Sequence, residues 1–255
     1  MELIAADGAL VDHCTLPARE CLQLERTLAN PLLWSAEQPN LYTLRLTLCG
    51  EGGEGVVVAQ TKVGFRRFRL ENGLLMLNGK RLLLHGVNRH EFHCLRGRVL
   101  TDADMLWDVL TLKRNNINAV RTSHYPNDTR WYRLCDKYGL YVMDEANLES
   151  HGSWMKMGRV DPAWAVPGDS PQWRDACLDR AASMLERDKN HPSVLFWSCG
   201  NESYGGANLL AMADFFRSRD PHRPVHYEGI FFDRRYPDTS DVESRMYPPA
   251  AEVAA

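Results

Sequence analysis

The chain has 255 residues, 25% of them charged and 44% hydrophobic, with a formal net charge of -3. This is the composition of a soluble globular protein. It offers no basic field for nucleic acid, and no apolar run is long enough to place the chain in a membrane.

Seven cysteines, an odd number with no C-x-x-C pair, favour reduced thiols over a disulfide framework or a thiolate zinc site. Residues 1–7 lack a basic n-region and a long apolar h-region. The expected setting is the cytoplasm.

Residues 1–66 read as β structure and predict part of a small antiparallel sandwich. Residues 41–48 alternate in part, and 56–63 form a second run. Between them, Gly50-Glu51-Gly52-Gly53-Glu54-Gly55 spells G-x-G-x-x-G. A dinucleotide fingerprint must open a helix, whereas β-branched Val56, Val57 and Val58 follow here. The two acids would also repel a pyrophosphate. A glycine-rich hairpin turn is the better reading.

After Gly73 strands alternate with helices. A strand over 82–87 is followed by a helix that Thr101 caps, with Asp102 and Asp104 in its first turn and Met105, Val109 and Leu112 as its apolar stripe. Residues 118–121 form the second strand. The next helix starts near Asp128, turns Trp131, Leu134, Cys135 and Tyr138 to one face, and stops at Gly139. Residues 140–143 are the third strand. Ser170-Pro171 opens a long helix through Cys177, Met184 and Leu185. Residues 194–197 are the fourth strand, 209–217 a helix, 224–227 the fifth strand and 241–247 a weak sixth.

Such units predict a parallel sheet with right-handed crossovers. Periodicity leaves a closed barrel and an open doubly wound sheet both possible. The strand ends favour the barrel, because at least four carry ionisable groups, as at a barrel mouth, and not only those at one switch point. The expected fold is α/β: an incomplete TIM (β/α)8 barrel of about six strands over 67–247, preceded by the partial sandwich of 1–66 and followed by a tail, 248–255. The barrel reads as unfinished, since a full one takes about 250 residues.

The strand ends also carry the chemistry. Val194-Leu195-Phe196-Trp197 runs into Ser198-Cys199-Gly200-Asn201-Glu202. A glutamate at such a tip can act as a general acid, and the alternatives are a structural ion pair or a helix N-terminal carboxylate. Glu149-x-His151, with Glu202 as a third donor, offers two carboxylates and an imidazole for magnesium or manganese. The alternative there is a solvated loop. His90, Arg121 and His124 supply the imidazoles and guanidinium that bond sugar hydroxyls. His90-Glu91-Phe92-His93 is one residue too short for a zinc-protease H-E-x-x-H. Neither a G-x-S-x-G elbow nor a P-loop occurs.

Four segments in order now carry a resemblance: Gly-Val-Asn-Arg-His-Glu at 86–91, Asn-Ala-Val-Arg-Thr-Ser-His-Tyr-Pro-Asn at 118–127, Asp-Glu-Ala-Asn-Leu-Glu-Ser-His-Gly at 144–152, and Asn-His-Pro-Ser-Val at 190–194 leading into Trp-Ser-Cys-Gly-Asn-Glu-Ser at 197–203. Together they resemble the family 2 glycoside hydrolases, and within them the β-galactosidase branch, from about Trp34 to Tyr247. Residues 31–42 resemble the immunoglobulin-like sandwich that precedes the family's barrel.

The resemblance implies retaining hydrolysis of terminal β-D-galactosides such as lactose, through a covalent glycosyl-enzyme. It implies Glu202 as acid/base and Glu149, His151 and Glu202 as ligands of Mg2+, or of Mn2+. It implies that His90, His124, Asn201 and Tyr247 contact the β-galactoside substrate and that Arg121 supports the nucleophile.

The family's nucleophile follows the seventh strand in a Glu-Tyr context, and neither Glu145 nor Glu228 is at that position. The expectation is therefore a chain that cannot form the glycosyl-enzyme alone. Its unpaired edge strands favour association, or docking with a chain that carries the missing half, and the family tends to oligomerise. Two other readings remain: a non-catalytic galactoside-binding or complementing module, and a β-glucuronidase or β-mannosidase relative. The Glu149-x-His151 pair leans toward the galactosidase.

Overall fold

The structure, a computed structural model, describes residues 1–253. Strands β1 (Glu2–Ile4), β2 (Leu10–His13), β3 (Tyr42–Cys49) and β4 (Gly55–Val63) form one antiparallel sheet in the order β2-β1-β3-β4. The glycine-rich segment is the β3–β4 hairpin turn. Gly53 takes a φ of +82° there, and the Gly50 amide donates to the Glu54 carbonyl at 2.9 Å.

Among the described residues of 1–66 this antiparallel sheet is the one sheet, a part of a sandwich and not both layers. Between β2 and β3 the chain makes only isolated bridges, Leu33 with Phe65 and Trp34 with Pro39. With no second sheet to face, Val56, Val57 and Val58 stay exposed.

A three-stranded antiparallel unit, β5 (Phe68–Glu71), β6 (Leu74–Leu77) and β7 (Lys80–Arg81), leads into the larger body. There β8 (Gly86–Arg89) is followed by α1 (Asp102–Arg114), β9 (Ala119–Thr122), α2 (Thr129–Tyr138) and β10 (Tyr141–Glu145). A short α3 (His151–Trp154) and the small hairpin of β11 (Met155–Lys156) and β12 (Arg159–Val160) come next. The chain continues through α4 (Arg174–Asp188), β13 (Val194–Ser198), α5 (Ala207–Arg219), β14 (Val225–His226) and α6 (Ala250–Val253). Among the described residues no helix is long and apolar enough to cross a membrane.

Local signals set the helix ends. Thr101 and Asp104 form a reciprocal capping box on α1. Asp128 caps α2, and Gly139, left-handed at φ +77°, closes it. Pro171 opens a 3-10 turn that feeds α4.

Strands β8, β9, β10, β13 and β14 form one parallel sheet in sequence order. All five C-terminal ends therefore face the same way. Trp131, Tyr132, Leu185, Trp197 and Phe216 pack in the main core, with the Trp197 and Phe216 rings stacked at 5.7 Å.

The sheet has five strands, not the expected six. Residues 241–247 contain no strand. Asp241 docks that segment against β14: its amide donates to the Val225 carbonyl at 2.8 Å and its Oδ2 accepts from the Val225 amide at 2.6 Å. Beyond it, polar side chains replace a backbone ladder. Glu243 pairs with Arg234 and Arg245, and Ser244 bonds His226.

The N-terminal part is latched to the sheet by Trp34, which is fully buried. Its indole N–H donates to the Asp136 carbonyl at 2.9 Å, and its ring meets Tyr141 edge-on at 5.8 Å. Gly139 makes room for the approach, because a Cβ there would lie 2.2 Å from the Ala36 carbonyl oxygen. Arg66 adds a second tie by donating to the carbonyls of Pro192 and Val194 at 2.6 and 2.5 Å. Trp34→Ala is expected to lower unfolding stability by about 3–5 kcal/mol, and Trp34→Phe by less, in urea titrations followed by circular dichroism. A loss below about 1 kcal/mol for the alanine variant would show that the latch is not a folding contact.

Candidate active site

The parallel strand tips converge on a cavity of about 450 Å³. Arg121, His124, Asn201, Glu202, His226 and Glu228 supply its polar wall. Strand alternation explains the selection. On β10, Asp144 turns to the helix layer, where the Tyr132 hydroxyl donates to it at 2.5 Å, and Glu145 turns to the cavity side.

Glu145 is fully buried and is the hub of the site. It accepts from Arg121 Nε at 2.6 Å, His124 Nδ1 at 2.7 Å and Ser198 Oγ at 2.6 Å. Burial alone would raise the pKa of its carboxyl. The His124 hydrogen bond, the Arg121 charge and the Ser198 hydroxyl outweigh burial and hold it below the usual value. Arg121 reaches further, donating from Nη2 to Asn201 Oδ1 at 2.9 Å. That bond fixes the amide orientation of Asn201, whose Nδ2 donates to Glu149 Oε1 at 3.3 Å.

His226 extends the network. Ser198 spends its proton on Glu145, so its oxygen accepts from His226 Nδ1–H at 3.0 Å. Nε2 then accepts from the Ser244 hydroxyl at 3.0 Å. This is a neutral imidazole with a fixed tautomer. Burial, with the Arg121 charge behind it, pushes its pKa down to about 4. Glu228 is raised by its burial, against the pull of the Glu202 amide and the Arg121 charge.

Glu202 sits on a turn that β13 feeds through Gly200. Gly200 takes a φ of +140°, and a Cβ there would lie 2.5 Å from the Leu148 carbonyl oxygen. That close approach lets the Asn201 amide donate to Leu148 at 2.8 Å. Glu202 itself is left-handed at φ +35°. Its carboxylate is in direct contact with His151 Nδ1, and the His151 ring stacks on Trp154 at 5.2 Å.

The structure thus brings Arg121, His124, Asn201 and Glu202 together and pairs Glu202 with His151. Glu149 joins only through the Asn201 amide. Among the described residues no group of three His, Cys, Asp or Glu side chains is arranged to hold a metal ion. The donor types suit a divalent cation, but the arrangement does not. His90 stands at the exposed rim, edge-on to His124 at 5.5 Å. Tyr247 lines the same cavity yet is 91% exposed, at a φ of +47°. Nothing packs it in place, because the segment that carries it is not a strand.

Sequence reasoning missed Ser198, His226 and Ser244 and left Glu145 and Glu228 without a role. The two acids were visible at strand tips. Ser198 was not, because a serine ending an apolar strand carries no mark of what its hydroxyl will meet.

His226 gives a pH prediction. Its folded pKa is about 4 and its ordinary value 6.5. Below about pH 6.5 the unfolded chain takes a proton that the folded chain refuses, so stability falls as pH drops from about 6.5 to about 4, by on the order of 3 kcal/mol. Glu145 acts lower: its contribution is present above about pH 4.5 and is lost as pH falls through its depressed folded pKa. Urea midpoints at about pH 7 and about pH 5 should therefore differ less in His226→Gln than in the unaltered chain. Equal differences would remove His226 as the cause.

With this geometry in view, comparison with known proteins places the chain. The family model described as "Glycosyl hydrolases family 2, TIM barrel domain" matches residues 68–254, and "Glycosyl hydrolases family 2" matches residues 8–66. A β-galactosidase of Halalkalibacterium halodurans is 54% identical over 253 residues, 99% of this chain and 25% of that protein. One from Streptococcus thermophilus is 57% identical over 220 residues, 86% of this chain and 21% of that protein. A β-galactosidase large subunit of Latilactobacillus sakei is 52% identical over 223 residues, 87% of this chain and 36% of that one.

Among solved structures, the apo β-glucuronidase 3 of Bacteroides uniformis superposes with a TM-score of 0.74 at 28% identity, covering 89% of this chain and 28% of that chain. The chain spans about a quarter of the length of the first curated relatives it matches. It belongs to glycosyl hydrolases family 2, with the TIM-barrel-domain match over most of its length and a second family domain ahead of it.

Proposed function

We propose that this chain forms the acid/base side of a retaining β-galactosidase acting on terminal β-D-galactosides such as lactose. The observation that carries the reading is Asn201-Glu202 at the tip of β13, facing a cavity wired to Arg121, His124 and Glu145. The relatives at 50–57% identity are named β-galactosidases. The β-glucuronidase likeness lies at 28%, which supports the galactoside reading over the glucuronide one.

In this reading Glu202 gives a proton to the leaving oxygen and later takes one from the attacking water. His90, His124, Asn201 and Tyr247 bond the galactosyl hydroxyls, and Arg121 supports the nucleophile.

Retention needs a second carboxylate about 5 Å from the acid. The carboxylates around this cavity are engaged elsewhere. Glu145 accepts from Arg121 and His124, Glu228 holds the Glu202 amide, and Glu149 accepts from Asn201. The family resemblance puts the nucleophile after a seventh strand in a Glu-Tyr context, and neither Glu145 nor Glu228 is at that position, so we assign it to a longer protein or a partner chain. The large-subunit name of one relative supports the latter.

A divalent cation, magnesium or manganese, on Glu149, His151 and Glu202 is part of the proposal. The donor types support it, the His151–Glu202 pairing counts against it, and no step is routed through it. The domain division, at about residue 66, is likewise proposed. With its seven cysteines free, a reducing compartment is the proposed setting.

An aryl β-galactoside mixed with the chain alone is expected to give no burst of aryl alcohol. A burst equal to the enzyme concentration would show that the nucleophile is present after all. Calorimetric titration with galactose is expected to show binding that weakens about tenfold or more in His124→Ala. Glucuronic acid should bind more weakly, and the reverse ranking would move the assignment to a glucuronidase. Added magnesium should tighten galactose binding in the unaltered chain and not in Glu149→Gln, whereas no effect in either would remove the cation.

A further inference from the structure

Glu202 sits on a turn whose own hydrogen bonds do not aim it. A left-handed φ of +35° is a conformation that side-chain-bearing residues rarely adopt. Within residues 201–205 the turn has only two short bonds, from Ser203 Oγ to the Asn201 carbonyl and from the Gly205 amide to the Ser203 carbonyl. Neither engages Glu202.

Its backbone is held from outside. The Glu202 amide donates to Glu228 Oε1 at 2.6 Å, and the Glu202 carbonyl accepts from Trp154 Nε1 at 3.1 Å. The next amide, that of Ser203, donates to the Tyr227 hydroxyl at 3.1 Å. Two consecutive amides of the turn thus end on two consecutive side chains just beyond β14.

Glu228 is an uncommon choice of acceptor. It is 6% exposed, and no lysine, arginine or histidine nitrogen forms an ion pair with it among the described residues. Its second oxygen, Oε2, is buried without a hydrogen-bond partner. A buried carboxyl in that state is costly to fold, and its one strong bond goes to Glu202.

We propose that Glu228 is a positioning residue for Glu202: together with the Tyr227 hydroxyl, its buried carboxyl fixes the backbone of the turn from Asn201 to Ser203 and so aims the Glu202 side chain at the cavity. The aiming role rests on Glu202 being the acid/base. The clamp on the turn does not. Pairing across strand tips explains the location, since β14 lies beside β13 and residues leaving the two strands meet. Glu228 also lines the cavity, but its one hydrogen bond among the described residues goes to the backbone of Glu202, so amide exchange at Glu202 reads its positioning role apart from any direct contact with substrate.

The test uses the 255-residue chain. Amide hydrogen exchange is followed by NMR at Glu202, at Ser203 and across β13, alongside fluorescence titration with a non-hydrolysable thio-β-galactoside. In Glu228→Leu the Glu202 amide is expected to exchange at least about tenfold faster while β13 stays protected, and probe affinity should fall about tenfold or more. Glu228→Gln keeps an oxygen acceptor without the charge. It should show an intermediate rise, about threefold, with partial recovery of probe affinity.

A filler carboxyl would give unchanged Glu202 exchange in Glu228→Leu with β13 protected, and that result overturns the proposal. If Glu228→Leu loses β13 protection, Glu228→Gln decides: no selective change at Glu202 overturns it as well. If the unaltered chain fails to bind the probe, the galactoside reading fails, while the exchange data still decide whether the clamp exists.

Discussion

A buried carboxylate cannot stay charged without partners, and Glu145 is the point where this constraint organises the molecule. Its three partners come from three places: Arg121 on β9, His124 on the loop after it, and Ser198 at the end of β13. The Glu145 amide is itself tied to the Thr122 hydroxyl at 2.9 Å. A slip of any of these strands by one residue would turn the partner to the other face of the sheet and leave the charge alone. The polar network therefore sets the register of the strand tips, while the apolar packing of Val142, Val194 and Trp197 beneath them sets how firmly the sheet is held.

The same hub explains why neighbouring groups are held in single states. Because Glu145 must accept, Ser198 must donate to it, and His226 must then give Ser198 its Nδ1 proton and accept from Ser244. The chain of donors ends on the segment after residue 240, which is irregular yet fixed at Asp241 against β14. Side-chain hydrogen bonds thus cover a sheet edge where a backbone ladder was expected.

Much of this fold could be read from local chemistry. The caps at Thr101, Asp128 and Gly139 and the apolar strand ending at Trp197 are properties of a few neighbouring residues, and the structure places them as expected. The sixth strand depends on partners far along the chain. For residues 241–247, Asp241 bonds Arg217 and the Val225 amide, Glu243 pairs with Arg234 and Arg245, and Ser244 bonds His226, in place of a backbone ladder. At the site, Glu202 stood out because it follows a buried strand and a glycine. Glu145 ranked lower because its meaning lies in Arg121, 24 positions away in sequence, and Ser198 had no visible meaning until β14 was in place.

Glu202 and Glu145 divide two jobs that a single carboxylate could not do. Glu145 is fully buried, and its carboxylate is committed to partners on neighbouring strands. A proton-transferring group must change charge without collapsing the network around it. Glu202 is instead tied through its backbone, at its amide and its carbonyl, as the acid/base role proposed for it requires. Its side chain remains partly exposed and, among the described residues, forms its one ion pair with an exposed histidine. The left-handed turn at Glu202 separates a main chain held at both its amide and its carbonyl from a partly exposed side chain, and the Arg121–Asn201 bond beside it fixes the neighbouring wall of the cavity.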